Sequence, residues 1–176
     1  MFWEKSFVTV DDASMAYVEL GAGRPIVFLH GNPTSSYLWR KVAPRVAGWG
    51  RCIIPDLVGM GDSSKIESGY RYVDHRRYLD GLLDRLGVDN DVVLVVHDWG
   101  GALGFDWANR NRPAVAGLAY METIVCPVTA EDWPEKARPI FSALRSPAGE
   151  EMILERNLFV ERSLPASVLS PLSDED

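Results

Sequence analysis

A carboxylate stands where a buried apolar run breaks into glycines. The stretch Val92-Val93-Leu94-Val95-Val96-His97-Asp98-Trp99-Gly100-Gly101 passes from β-branched and other apolar residues straight into His-Asp-Trp-Gly-Gly. The apolar run reads as a strand buried on both faces of a parallel sheet. The glycines allow a sharp turn into the helix-like segment 102–109. A side chain at the tip of such a turn is held above the sheet, beside the positive end of the following helix. Asp98 occupies that tip. Its carboxylate is ionised at neutral pH and needs no base to attack, which suits displacement at an sp3 carbon with formation of an alkyl ester. The same residue reads equally as the cap of the next helix, since Asp is a favoured N-cap. Two further strand ends carry candidate chemistry: Asn32, in the loop after 26–29, and Glu122, at the close of 115–121. Glu122 also reads as a solvated carboxylate at a strand end.

The frame Val96-His97-Asp98-Trp99-Gly100 is that of the Gly-x-Ser-x-Gly elbow of serine hydrolases, with carboxylate for hydroxyl and valine for the first glycine. In such a frame the backbone N–H groups of Asn32 and Trp99 would make an oxyanion hole. The elements needed to present these groups follow in order along the chain. Segments 7–10 and 15–20 read as strands joined at Asp11-Asp12-Ala13-Ser14. Segment 26–29 is short and wholly apolar, and 36–47 reads as a helix capped by Ser35 or Ser36. A strand at 51–54 runs into a loop holding Gly59 and Gly61. That loop lacks the third glycine, the helix and the distal acid of a dinucleotide site, so it reads as a turn-rich connection. Leu79, Leu82, Leu83 and Leu86 share one face of a helix over 74–86, which Gly87 stops. His75, near its polar start, is expected to be solvated. Strand and helix alternate, which predicts a doubly wound α/β sheet.

Composition narrows the partners. The 176 residues are 47% apolar and 24% charged, as in an ordinary globular protein, and the formal charge is -7. That balance argues against a nucleic-acid backbone or an anionic membrane as partner. No apolar run approaches the ~18 residues of a membrane span, and the first residues lack the pattern of a signal peptide. Cys52 and Cys126 make no disulfide framework, and Cys52 reads as a small buried hydrophobe. The histidines, His30, His75 and His97, show no zinc spacing. A cytoplasmic protein without metal or cofactor is expected.

Several stretches together resemble the haloalkane dehalogenases. They are His30-Gly-Asn-Pro-Thr-Ser-Ser-Tyr-Leu-Trp-Arg40, Asp56-Leu-Val-Gly-Met-Gly-Asp-Ser63, Val95-Val-His-Asp-Trp-Gly100, Gly104-Phe-Asp-Trp-Ala108 and Ala119-Tyr-Met-Glu122. The likeness continues through Trp133-Pro134, Ser146-Pro147 and Asn157-Leu-Phe-Val-Glu161. It implies an α/β-hydrolase fold, a mostly parallel sheet with an inserted helical lid, in the branch whose acid follows strand six. Residues 1–125 would be the first six strands of the core and 126–176 the start of the lid. The resemblance implies that Asp98 attacks the carbon bearing halogen, and that Asn32 and the Trp99 indole hold the halide through side-chain N–H groups. It implies that Glu122 orients the catalytic histidine, and that Phe141 and Phe159 line an apolar pocket. The two phenylalanines read equally as packing between lid helices. The partners implied are a small halogenated alkane, halide ion and water, with a monomer once the fold is completed.

One part of the family pattern has no counterpart. The family's histidine lies after an eighth strand, and none of His30, His75 and His97 falls at that motif position. The chain is therefore expected to correspond to the N-terminal part of a dehalogenase and to stop at single-turnover alkylation. Strand 115–121 would then have one unpaired edge, an association hazard. Two other readings stay open. An epoxide hydrolase shares the fold and His-Asp-Trp-Gly-Gly, but in that family a pair of lid tyrosines protonates the opening ring, and no tyrosine follows Tyr120. A catalytically inactive fragment is the other.

Overall fold

The computed structural model describes residues 3–67 and 69–169. Six strands form one sheet in the order β1-β2-β4-β3-β5-β6. β1 (Ser6–Val10) and β2 (Ala13–Leu20) form an antiparallel hairpin, and β2 runs antiparallel to β4 (Arg51–Pro55). β3 (Pro25–Leu29), β4, β5 (Val92–Asp98) and β6 (Val115–Thr123) are parallel. Parallel neighbours need crossover connections, and the chain supplies helices for them. These are α1 (Ala43–Val46), α2 (Tyr72–Arg85) and α3 (Trp99–Arg110). The α/β architecture expected from the alternation is present.

Side-chain alternation along β5 assigns the two faces of the sheet. Leu94 and Val96 are fully buried with Leu79, Leu83, Leu103 and Trp107 of α2 and α3. Val93 and Val95 face the opposite layer, where Phe28, Cys52 and Ile54 pack with Trp39 and Ala43. Cys52 is fully buried, as its strand position requires, and Cys126 is exposed. Gly104 lets α3 approach β5, since a Cβ there would press on Val96. β6 is an edge, and no strand of the described residues pairs with its outer side. Tyr120 and Met121 on it are exposed.

Helix boundaries differ from the sequence expectation where local chemistry overrides periodicity. Segment 36–47 is a 3-10 turn (Ser36–Trp39) followed by the single turn of α1. Pro44 has no N–H to donate and its ring would clash with the carbonyl of Arg40 in a continuous helix. Ser35 caps the first turn, accepting from the Tyr37 N–H at 3.3 Å. The described residues from 127 onward form a second compact unit, distinct from those before them. It contains a 3-10 turn at Ala130–Asp132, α4 (Arg138–Leu144) and α5 (Leu164–Ser167). Segment 150–160 is not one continuous helix: wide turns at Glu151–Glu155 and Phe159–Ser163 flank Asn157, whose φ is 46°. A left-handed residue ends a helix, and Asn is among the few that tolerate it. Residues 170–176, with the acidic close at 172–176, lie outside the described residues.

His30 ties the sheet to the loops above it. It has no solvent exposure. Its Nδ1 lies 2.9 Å from the Gly31 carbonyl, and its Nε2 accepts the Leu57 N–H at 2.9 Å. A ring that donates at Nδ1 and accepts at Nε2 is neutral. Burial pushes its pKa down from 6.5 to about 4. The unfolded chain therefore binds this proton more readily than the folded one. The stabilisation is complete above pH 6.5 and is lost as the pH falls towards 4, on the order of 3 kcal/mol from this one group. We expect the free energy of urea unfolding to fall across that window in the native chain. In His30→Gln the slope over the same window should be shallower, and equal slopes would contradict the assignment.

Candidate active site

The position of the Asp98 carboxylate is set by the backbone. Asp98 ends β5 and begins α3 with φ 52° and ψ -127°. This conformation is costly for any residue with a Cβ, on the order of 1–3 kcal/mol. Sequence reasoning left open whether Asp98 is merely a helix cap. It occupies the N-cap position of α3, but its side chain makes no capping bond. Its Oδ1 instead accepts the backbone N–H of Asn32 across the sheet, at 2.8 Å. The carboxylate faces the loop after β3 rather than its own helix.

Small residues make this approach possible. A Cβ on Gly31 would overlap the Asp98 carboxylate, and one on Gly100 would strike the carbonyls of Leu29 and His30. Gly101 is packed against Thr123 in the same way, and the Thr123 hydroxyl donates to the Asp98 carbonyl at 2.8 Å. The turn is thus braced from β3 and from β6 at once. Thr123 and Gly31 carry no reactive chemistry, so a search for reactive residues passes over them.

The loop after β3 is fixed at several points. The Gly31 carbonyl accepts from the Thr34 N–H at 3.1 Å and the Thr34 hydroxyl at 3.0 Å, beside His30 Nδ1. The Asn32-Pro33 peptide is cis. Asn32 and Trp99 line one cavity of about 370 Å³ with Leu57, Met60, Tyr70, Tyr72, His75 and Leu103. Both expected halide donors therefore border the same space.

His75 corrects the sequence expectation. It is half-buried rather than solvated, and its Nδ1 is buried without a partner among the described residues. Burial lowers its pKa, more strongly than Asp74 raises it. The α2 periodicity put the leucines on the inner face, but only the fold shows that the first turn of α2 leans over the β5 elbow. Tyr72 comes from the same turn. Its hydroxyl donates to the Ala102 carbonyl at 3.0 Å, and burial raises its pKa.

Glu122 is exposed at the end of β6, with φ 42°. The pairing of β5 with β6 passes from His97↔Met121 to Asp98↔Thr123, so Glu122 is the extra residue of a bulge. Bulges beside active sites re-aim a side chain. No contact between Glu122 and a histidine is present among the described residues. Phe141 and Phe159 belong to the second unit, where they border a common apolar recess with Ile140 and Leu144. Phe141 also stacks on Trp133, with centroids 4.2 Å apart.

The arrangement is a carboxylate on a strained strand-to-helix turn, at the carboxyl ends of the parallel strands. The family model described as alpha/beta hydrolase fold matches residues 24–146, and the chain belongs to that family. Within it, the chain is 54% identical to a haloalkane dehalogenase of Sphingobium indicum, over 99% of this chain and 60% of that protein. It is 49% identical to a haloalkane dehalogenase of Mycolicibacterium smegmatis, over 95% of this chain and 55% of that protein. Among solved structures, a haloalkane dehalogenase from Bradyrhizobium elkani superposes with a TM-score of 0.92 at 46% identity. That match covers 98% of this chain and 60% of the other. A putative ancestral haloalkane dehalogenase gives 0.91 at 48% identity, over 97% and 61%. The chain spans about 60% of the length of these relatives.

The strain at Asp98 has a measurable consequence. Glycine adopts the observed φ and ψ without the Cβ penalty. Asp98→Gly loses the Asn32 hydrogen bond, a net contribution of about 1 kcal/mol, but relieves a conformation costing up to ~3 kcal/mol. We expect it to unfold at higher urea than the native chain, by about 1 kcal/mol. A lower midpoint would show that the elbow is not strained.

Proposed function

We propose that this chain carries the alkylating half of a haloalkane dehalogenase site. Asp98 displaces halide from an sp3 carbon, forming an alkyl ester and releasing the halide ion. The Asn32 amide and the Trp99 indole, both neutral N–H donors, hold the departing anion. The observation that carries this reading is the pairing of geometry and composition. A carboxylate on the elbow lies against the Asn32 backbone, and the Asn32 and Trp99 side chains border one largely apolar cavity. The 54% and 49% identical relatives, both haloalkane dehalogenases, support it.

In the whole reaction, water must then hydrolyse the ester to an alcohol, activated by a histidine that an acid orients. Glu122 is the acid in this reading, re-aimed by its bulge. None of the three histidines fits the base. Both ring nitrogens of His30 are engaged. His97 adjoins Asp98 in a strand, so its side chain leaves on the opposite face. His75 borders the cavity, but its Nδ1 has no hydrogen-bond partner among the described residues to orient the ring. Residues 126–176 are read as the start of the lid, with Phe141 and Phe159 on its apolar side. The other partners in this reading are water and a small haloalkane, in a cytoplasmic setting, with a monomer as the completed state.

We expect a burst of bromide on mixing the chain with a short bromoalkane, not exceeding one ion per chain, and no consumption of styrene oxide. Asn32→Ala and Trp99→Phe should each slow the burst by ~10²–10³-fold, the usual cost of one stabilising donor. Unchanged bursts in both would remove the halide-site assignment. Epoxide opening without bromide release would transfer the site to the epoxide hydrolases.

A further inference from the structure

The loop that carries Asn32 is held at its far end by a buried carboxylate outside the proposed chemistry. Asp56 follows β4 and has no solvent exposure. Its Oδ1 accepts the Ser36 N–H at 2.8 Å. Its Oδ2 accepts the Asp62 N–H at 2.9 Å and the Lys5 ammonium at 2.6 Å. Lys5 also reaches Asp62 at 2.7 Å. Gly61 packs so closely on the carboxylate that a Cβ would overlap it. A buried carboxylate costs several kcal/mol unless it is paired and hydrogen-bonded. Burial pushes the Asp56 pKa up, but Lys5 and the two backbone N–H groups outweigh it and hold the carboxyl below the usual range.

The loop from 30 to 36 is therefore pinned at both ends. His30 holds the near end through Gly31 and Leu57, and Asp56 holds the far end through Ser36. Between the pins, the Asn32 N–H meets Asp98. We propose that Lys5, acting through Asp56, is a positioning residue that keeps the Asn32 N–H on the nucleophile. Lys5 lies just before β1 and makes no strand pairing of its own. Replacing it removes the counter-charge of Asp56 and leaves the sheet's hydrogen bonds in place. The carboxylate is then buried with neutral donors and no counter-charge, so it protonates at higher pH, and the Ser36 N–H bond loosens when it does. The other titratable groups facing Asp56 are Asp62 and His30, and both remain.

The test is amide hydrogen exchange on the chain, comparing Lys5→Met, Lys5→Arg and the native protein. In Lys5→Met we expect the Asn32 N–H to lose roughly tenfold in protection, a small loop displacement being enough for such an effect. The sheet amides of Val27 and Leu94 should not change. The acid limb of Asn32 protection should move to higher pH, and Lys5→Arg should restore the native profile. The bromide burst should slow in parallel, with the half-saturating bromoalkane concentration unchanged. The burst readout rests on the function proposed above, whereas the exchange readout does not. Unchanged Asn32 protection, or an equal loss at Asn32, Val27 and Leu94, overturns the positioning role. Loss confined to Asn32 in a protein that releases no bromide supports it and refutes the dehalogenase reading instead.

Discussion

The hydrogen bond from the Asn32 backbone to the Asp98 carboxylate is the contact on which the site depends. It joins the loop after β3 to the turn after β5. It exists because two glycines bring backbone and side chain closer than any Cβ would permit. It also fixes the direction of a carboxylate that would otherwise cap its own helix. The cost falls on the Asp98 backbone, which is held at positive φ. That cost is sustained because the turn is braced from both sides, by the Gly100 approach to β3 and by Thr123 on β6. Strain of this kind persists only where the surroundings over-determine it.

The electrostatics serve the same end. His30 is neutral because it is buried, and neutrality lets one ring both donate and accept between two loops. Asp56 is ionised because Lys5 and two backbone N–H groups surround it. Two buried polar residues with opposite charge tendencies thus anchor the ends of one short loop. Asn32 sits between these anchors, where the backbone has little freedom, and its N–H meets Asp98.

Much of this was legible in the sequence, and the reasons are physical. The parallel core was readable because fully buried strands are continuous apolar runs, as at 26–29, 52–54 and 92–96. The elbow was readable because only glycine fits immediately after it. What could not be read depends on contacts distant in the chain. The Glu122 bulge is a matter of register between β5 and β6. The burial of His75 depends on how α2 crosses the elbow, which a single helical period does not encode. The helix expected over 36–47 failed because periodicity outweighed Pro44, although the proline was in plain view. The clamp of Lys5 on Asp56 links residues 51 apart and leaves no local signal.

In the function proposed above, Asp98 forms the bond to the substrate carbon, and the contacts around it aim it. The direct measurement is peptide mass spectrometry of the chain after incubation with a bromoalkane. We expect one alkyl group per chain, on the peptide that carries Asp98, and none in Asp98→Asn. An adduct elsewhere, on Cys126 or on a histidine, or an undiminished adduct in Asp98→Asn, would contradict it.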